Sequence, residues 1–132
     1  MSYGTHKGYI GEIESSEFFN KLVAPKFHIC RVGGIEARKM VLSGDVSLLS
    51  SCRKHRFKGQ IDIKECDFYD TFIEVKDQAN PNIWKTINKA EDDAELAGKT
   101  DVILYVIKQK RGEKGERLIV MRPSTFNKFY TL

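Results

Sequence analysis

No hydrophobic run in this sequence is long enough to cross a bilayer. The longest, Val102-Ile103-Leu104-Tyr105-Val106-Ile107, falls far short of the about 20 apolar residues that a spanning helix needs. The start, Met1-Ser2-Tyr3-Gly4-Thr5-His6-Lys7, lacks the apolar core of a secretory signal, so the expected location is the cytoplasm. Cysteine is scarce and odd in number, at Cys30, Cys52 and Cys66. That excludes a disulfide scaffold and fits reduced thiols. Cys52-Arg53-Lys54-His55, with Cys66 further on, sets a Cys and a His as close as zinc sites do. A structural zinc site needs four ligands in two tight pairs, however, and only one pair is present. Internal repeats, low-complexity tracts and linker-like segments are also missing, which leaves one domain over residues 1–132.

What is present is an ordinary globular balance, with 41% hydrophobic and 30% charged residues. A chain of this length buries a core without help from disulfides or metal. The net charge of +4 hints weakly at a polyanionic partner, and its distribution says more. Arg53, Lys54, Arg56, Lys58 and Lys64 crowd one stretch, while Lys108, Lys110, Arg111, Lys114 and Arg117 crowd another. Acids gather between them, at Glu65, Asp67, Asp70, Glu74 and Asp77, and again at Glu91, Asp92, Asp93 and Glu95. Each cluster alone reads as a solvated loop. Basic segments on either side of an acidic centre are also the layout that metal-dependent cleavage of a nucleic acid requires.

The periodicity predicts a first helix from about Gly8 or Glu12 to Val23, with Ile13, Phe19, Leu22 and Val23 as its apolar positions and Pro25 as its stop. Phe27 to Val32 reads as a strand closed by Gly33-Gly34, and Met40 to Leu49 as a turn leading into a short buried strand. Residues 51–60 read as a basic loop, and Gln60 to Lys64 as a possible extra strand. Thr71 to Lys76 alternates as a strand, with Phe72, Glu74 and Lys76 on one face and Ile73 and Val75 on the other. Asn80-Pro81-Asn82 signals a helix start, with Asn80 as the cap. That helix carries Ile83, Ile87, Ala90 and Ala94 on one face and stops near Gly98. A central strand from Asp101 to Lys108, a hairpin connection at Arg111 to Gly115, a strand at Leu118 to Met121 and a short helix from Pro123 complete the chain. The order α-β-β-β-α-β-β-α belongs to an α/β fold built around a mixed sheet.

Chemistry concentrates at Glu74-Val75-Lys76, where a carboxylate and an ammonium leave the same strand face one residue apart. Cutting a phosphodiester needs negative charge to hold a divalent ion, and positive charge to steady the attacking water or the transition state. Glu74 can offer its carboxylate to Mg²⁺ or Mn²⁺ and Val75 its carbonyl, with Lys76 beside the water. A second hard ligand must come from a neighbouring element. Asp45, at the turn before Val46-Ser47-Leu48-Leu49, is placed for that role, with Asp62 of Gln60-Ile61-Asp62-Ile63 as its rival. Glu-x-Lys alone is weak evidence, since surface strands often alternate these residues. Its flanks Phe72, Ile73 and Val75 make this a buried strand, where a carboxylate needs a reason.

Gly8-Tyr9-Ile10-Gly11-Glu12, then Ser43-Gly44-Asp45-Val46, then Phe72-Ile73-Glu74-Val75-Lys76, followed by a helix and an apolar strand, resembles the PD-(D/E)xK nuclease superfamily. Within it the chain is similar to the small Holliday-junction-resolvase-like nucleases of archaea and bacteriophages. The resemblance runs in order over nearly the whole chain and includes Trp84 in the second helix and the segment opening at Pro123. Lys89-Ala90 stands where phage members usually have Gln-Ala.

The resemblance implies a restriction-endonuclease-like sandwich, a central mixed sheet flanked by helices. It implies a Mg²⁺-dependent (or Mn²⁺-dependent) endonuclease acting on branched DNA, as a homodimer because resolvases cut two strands symmetrically. Asp45, Glu74 and the Val75 carbonyl would hold the metal, Glu12 would bind or orient it, and Lys76 would assist the water or stabilise charge. Glu12 also reads as an acid favoured by the helix dipole. Gln78 would assist at the phosphate. Arg53, Lys54, Arg56, Lys58, Lys110 and Arg111 would meet the DNA backbone. Two alternatives stand beside this expectation: a nuclease for linear duplex or single-stranded DNA, and a non-catalytic nucleic-acid-binding module of the same fold.

Overall fold

The computed structural model describes residues 3–23, 29–31, 44–48, 64 and 66–130. Their order is α1 (Tyr3–Asn20), β1 (Ile29–Arg31), β2 (Val46–Leu48), β3 (Thr71–Gln78), α2 (Ile83–Leu96), β4 (Asp101–Lys110), β5 (Glu113–Met121) and α3 (Pro123–Tyr130). The class is α/β, and the element order is the one read from the sequence. Among the described residues five strands form one sheet in the order β1-β2-β3-β4-β5. Only β3 and β4 pair in parallel, through the α2 crossover, so the sheet is mixed. The two strands at the β1 side are three residues each, and β3, β4 and β5 form the body.

The continuous apolar run of β4 follows from burial on both faces. Ile103, Tyr105 and Ile107 join Phe19, Ile29, Val46 and Ile73 in one core beneath α1. Val102, Leu104 and Val106 join Phe72, Ile87, Ala90 and Ala94 in a second core beneath α2. A helix on each face is what this two-sided burial needs. The face of α2 is the one its spacing foretells, with Ile87, Ala90 and Ala94 buried.

Several boundaries differ from the sequence reading. The cap of α2 is Asn82 rather than Asn80: its side chain accepts from the Lys85 backbone N–H, and Pro81 precedes the helix. The first helix starts at Tyr3, so Glu12 sits mid-helix, away from the dipole end that would favour an acid. Of the expected apolar positions Ile13, Phe19, Leu22 and Val23, Phe19 is buried and Val23 packs partly on the core, but Leu22 is exposed, and the buried stripe continues through Ser15 and Gly11 instead of Ile13. Small residues let α1 lie close: a Cβ on Gly11 would meet Val75 Cγ1 at 3.4 Å and Ile107 Cδ1 at 3.5 Å. The hairpin turn is only Arg111-Gly112, with Gly112 at a φ of 73°. At the other end of β4, Asp101 accepts from Thr125 Oγ1 at 3.1 Å and Lys128 Nζ at 2.7 Å, which ties α3 to the sheet.

Candidate active site

The second half of β3 emerges from between the two cores. Alternation turns Glu74 and Lys76 toward α2, on the Phe72 side, while Ile73 and Val75 pack beneath α1. Lys76 Nζ stands 3.8 Å from Glu74 Oε1, and the Glu74 side chain is only 20% exposed.

Asp45 reaches this strand because of the residue before it. Gly44 bridges to Ile73 with a φ of 94°, and a Cβ there would stand 2.3 Å from the Ile73 carbonyl oxygen. Only glycine fits. The close approach lets the Asp45 N–H donate to the Ile73 carbonyl at 2.9 Å. Asp45 Oδ2 then accepts from the Val75 N–H, also at 2.9 Å. The carboxylate therefore extends the ladder past the end of β2, in the plane of the sheet. A residue's N–H and C=O leave a strand on the same edge, so the Val75 carbonyl points to the Asp45 side.

Two further carboxyls converge on Asp45 from opposite faces. Glu74 comes from the α2 side, within hydrogen-bonding reach of Asp45. Its carboxyl is pushed up to about 7, by burial first and then by the Asp45 charge, against the pull of Lys76 and Lys89. Glu12 comes from α1, also within reach of Asp45. Burial and then Asp45 raise it, while its ion pair with Arg31 of β1 lowers it. With the sheet between Glu12 and Glu74, no three His, Cys, Asp or Glu side chains among the described residues cage an ion by themselves.

The donor set nevertheless suits a hard cation: two carboxylates, Asp45 and Glu74, and one backbone carbonyl, all oxygens. A buried carboxyl whose ionisation a neighbouring carboxylate opposes is a group that a divalent ion would relieve. Asp45 and Glu74 would hold such an ion with the Val75 carbonyl, and Glu12 would add negative charge beside Asp45 from the other face.

Cavities lie on both sides of Glu74. One, of about 250 Å³, is lined by Glu74, Lys76 and Gln78 of β3 together with Asn82, Lys85, Thr86, Lys89 and Asp93. The other, of about 420 Å³, is lined by Gly44, Asp45, Phe72, Glu74, Asp93, Leu96 and Ala97. The sequence reading gives Lys85 no role, names Lys89 only beside Ala90 in the resemblance, and counts Asp93 only within an acidic cluster. Their only signal is the spacing 82, 85, 86, 89, 93, which places them on one flank of α2.

Gln78 is exposed and lines the first cavity. Lys110 and Arg111 are exposed at the β4–β5 turn, beyond the Gln78 end of the sheet, and Lys110 pairs with Glu116 at 2.8 Å. Arg53, Lys54, Arg56 and Lys58, the rival Asp62, and Cys52 and His55 lie outside the described residues. Cys66 is buried in the core beneath α1, and no helix among the described residues is long and apolar enough to cross a membrane. Comparison with family models, curated proteins and solved structures finds no match to this chain.

Proposed function

We propose that this chain is a metal-dependent endodeoxyribonuclease of the PD-(D/E)xK kind, with a restriction-endonuclease-like sandwich as its fold. Its substrate is branched DNA, cut by a homodimer that carries two such sites. The observation that supports the reading best is the meeting of Asp45, Glu74 and Lys76 at one point of the sheet, held by a glycine that no other residue can replace.

Each residue has a task. Asp45 is fixed in the sheet plane by the Val75 N–H, so its free oxygen has a defined direction. Glu74 is pushed up to about 7 by burial and Asp45, and in its ionised form would hold the cation together with Asp45. Lys76, beside Glu74, places positive charge where the attacking water loses its proton and charge grows on the phosphoryl oxygens. One such group is worth about 2.7–4 kcal/mol in a transition state. A bound Mg²⁺ supplies Lewis-acid stabilisation of that charge and activation of the water. Glu12, ion-paired with Arg31, adds negative charge beside Asp45 from the other face, which favours a cation there.

The test is a gel assay of the purified chain with Mg²⁺ on a four-way junction and on the corresponding linear duplex. Paired cuts in the junction support the reading. Cleavage of linear DNA alone moves the substrate to duplex or single-stranded DNA. Binding without cleavage in Mg²⁺ and in Mn²⁺ makes the chain a non-catalytic nucleic-acid-binding module.

A further inference from the structure

We propose that Lys85 and Lys89 of α2, with Lys76 of β3, form a subsite for one backbone phosphate of a nucleic-acid strand, beside the Asp45–Glu74 pair. That the ligand is a nucleic-acid strand rests on the nuclease reading. The anion site itself rests on the following geometry.

The three lysines line the same cavity of about 250 Å³ as Thr86, outnumbering its two carboxylates, Glu74 and Asp93. Lys85 and Lys89 are four apart, hence stacked on one helix flank. Neither has an ion-pair partner among the described residues, whereas Lys110 and Lys128 are paired with Glu116 and Asp101. Their placement also works against the helix that carries them. Like charges at this spacing repel. Lys85, in the first turn, opposes the helix dipole, and that turn of α2 holds no acid to compensate. An anion in the cavity reverses both penalties. The cavity on the other side of Glu74 has no lysine or arginine in its lining and is walled by Phe72, Leu96 and Ala97. The anion subsite is therefore one-sided: a strand crossing Glu74 would place one flanking phosphate under α2 and its sugar or base toward Leu96.

The experiment uses the full chain in EDTA, where no metal-dependent cleavage takes place. Binding of a fluorescent ten-thymidine oligonucleotide is measured across a salt series for the parent, Lys85→Gln/Lys89→Gln, Lys85→Arg/Lys89→Arg and Lys21→Gln. Lys21 is an exposed cation at the end of α1, on the other face of the sheet. The glutamine pair is expected to weaken binding roughly fivefold per lysine near 0.1 M salt, and to flatten the slope of log affinity against log salt by about 0.7 per lost contact. The arginine pair should restore both, and Lys21→Gln should change neither. A glutamine pair that binds like the parent overturns the subsite, as does a Lys21→Gln variant that loses as much.

A second arm follows the backbone amide signals of Lys85, Thr86 and Lys89 during titration with the oligonucleotide, and with sodium phosphate at matched ionic strength. Saturation by the oligonucleotide at far lower phosphate concentration is expected. Equal saturation by free phosphate overturns the strand reading in favour of a small-anion site. Cleavage plays no part in either arm. A chain that never cuts DNA in Mg²⁺ but binds through these lysines loses the nuclease reading and keeps the subsite, and the converse result does the reverse.

Discussion

Val75 donates its backbone N–H to Asp45 Oδ2 at 2.9 Å, so a side chain takes the place that a strand neighbour would occupy. Everything else at the site depends on this substitution. It ends the β2–β3 ladder where the carboxylate is needed, and it leaves Asp45 between the two faces of the sheet, where Glu12 and Glu74 both reach it.

Gly44→Ala tests that dependence. The new methyl would stand 2.3 Å from the Ile73 carbonyl oxygen, on a backbone already at a φ of 94°. Gly98→Ala provides the comparison, because its φ is 72° but nothing lies within 4 Å. Gly98→Ala should cost only the left-handed backbone penalty of about 1–2 kcal/mol. Gly44→Ala should cost more than that by urea unfolding, and should abolish cleavage because Asp45 is pushed off β3. Equal costs for the two variants would mean that the turn yields and the close approach is dispensable.

How much of this was visible in the sequence depends on which signal each part leaves. The β3 motif was legible because period two is unambiguous when apolar residues flank the charged ones, and Asp45 because it stands at a turn before an apolar run, in a Ser-Gly-Asp-Val stretch that resembles a nuclease motif; the need for glycine at position 44 shows only in the structure. The packing face of α1 was legible only in part. Gly11, Ser15 and Phe19 are buried, and two of those three carry no hydrophobic signal, so the apolar spacing located Phe19 and Val23 but pointed to Ile13 and Leu22 in place of Gly11 and Ser15. Lys85 and Lys89 drew no role for a related reason: a helix flank facing a groove has the same composition as one facing water. Their meaning comes only from β3 lying opposite, a long-range fact that local periodicity does not contain.

Asp45→Asn and Lys76→Ala should each retain the fold and lose cleavage, for separable reasons. The asparagine keeps an oxygen to accept from Val75 N–H but removes the charge that a divalent ion needs. Lys76 is half-buried, and its only ion pair among the described residues is with Glu74 at 3.8 Å, so truncation costs little stability and a factor of about 10²–10³ in turnover. Single-turnover cleavage in Mg²⁺, with circular dichroism as the check on folding, measures both. Lys76→Ala cutting at the parent rate would remove it from the mechanism.

Glu74 makes a metal-free prediction about pH. Its carboxyl is raised from 4.5 to about 7 by burial and by Asp45, so the folded chain holds this proton more tightly than the unfolded chain does. The associated stability is fully present below about 4.5, and is lost as pH rises through about 7. In EDTA the parent should therefore be less stable at pH 8 than at pH 5 by of the order of 2 kcal/mol from this group. Glu74→Gln should remove that decline while losing cleavage. Added Mg²⁺ should restore the parent at pH 8 by binding the folded state and leave Glu74→Gln nearly unmoved. Parallel pH profiles for the two proteins would show that Glu74 ionises freely and that the Asp45 contact is weak.

The last prediction concerns how α1 is held in place to present Glu12. Two residues beyond it, Glu14 accepts from Arg117 of β5 through both oxygens, at 2.7 Å from Nη2 and 3.0 Å from Nε, and from the Tyr105 hydroxyl of β4 at 2.5 Å. Arg117 lowers the Glu14 carboxyl against burial, with Tyr105 adding to the effect. A carboxyl held below its ordinary value contributes stability above the unfolded value of 4.5, and that stability is lost as pH falls through the folded value. Because the pair is about a third exposed, solvent screening leaves about 1 kcal/mol for Glu14→Gln at pH 7. The gap from the parent should close in strong acid, once the parent's Glu14 is also neutral. Cleavage at pH 7 should survive the change, since Gly11 still packs on Val75 and Ile107 and Glu12 keeps Arg31. Urea unfolding at pH 7 and at pH 3, with the junction assay alongside, checks each part. A Glu14→Gln variant that stays folded but cannot cut would give this three-sided contact a direct part in placing Glu12 against Asp45.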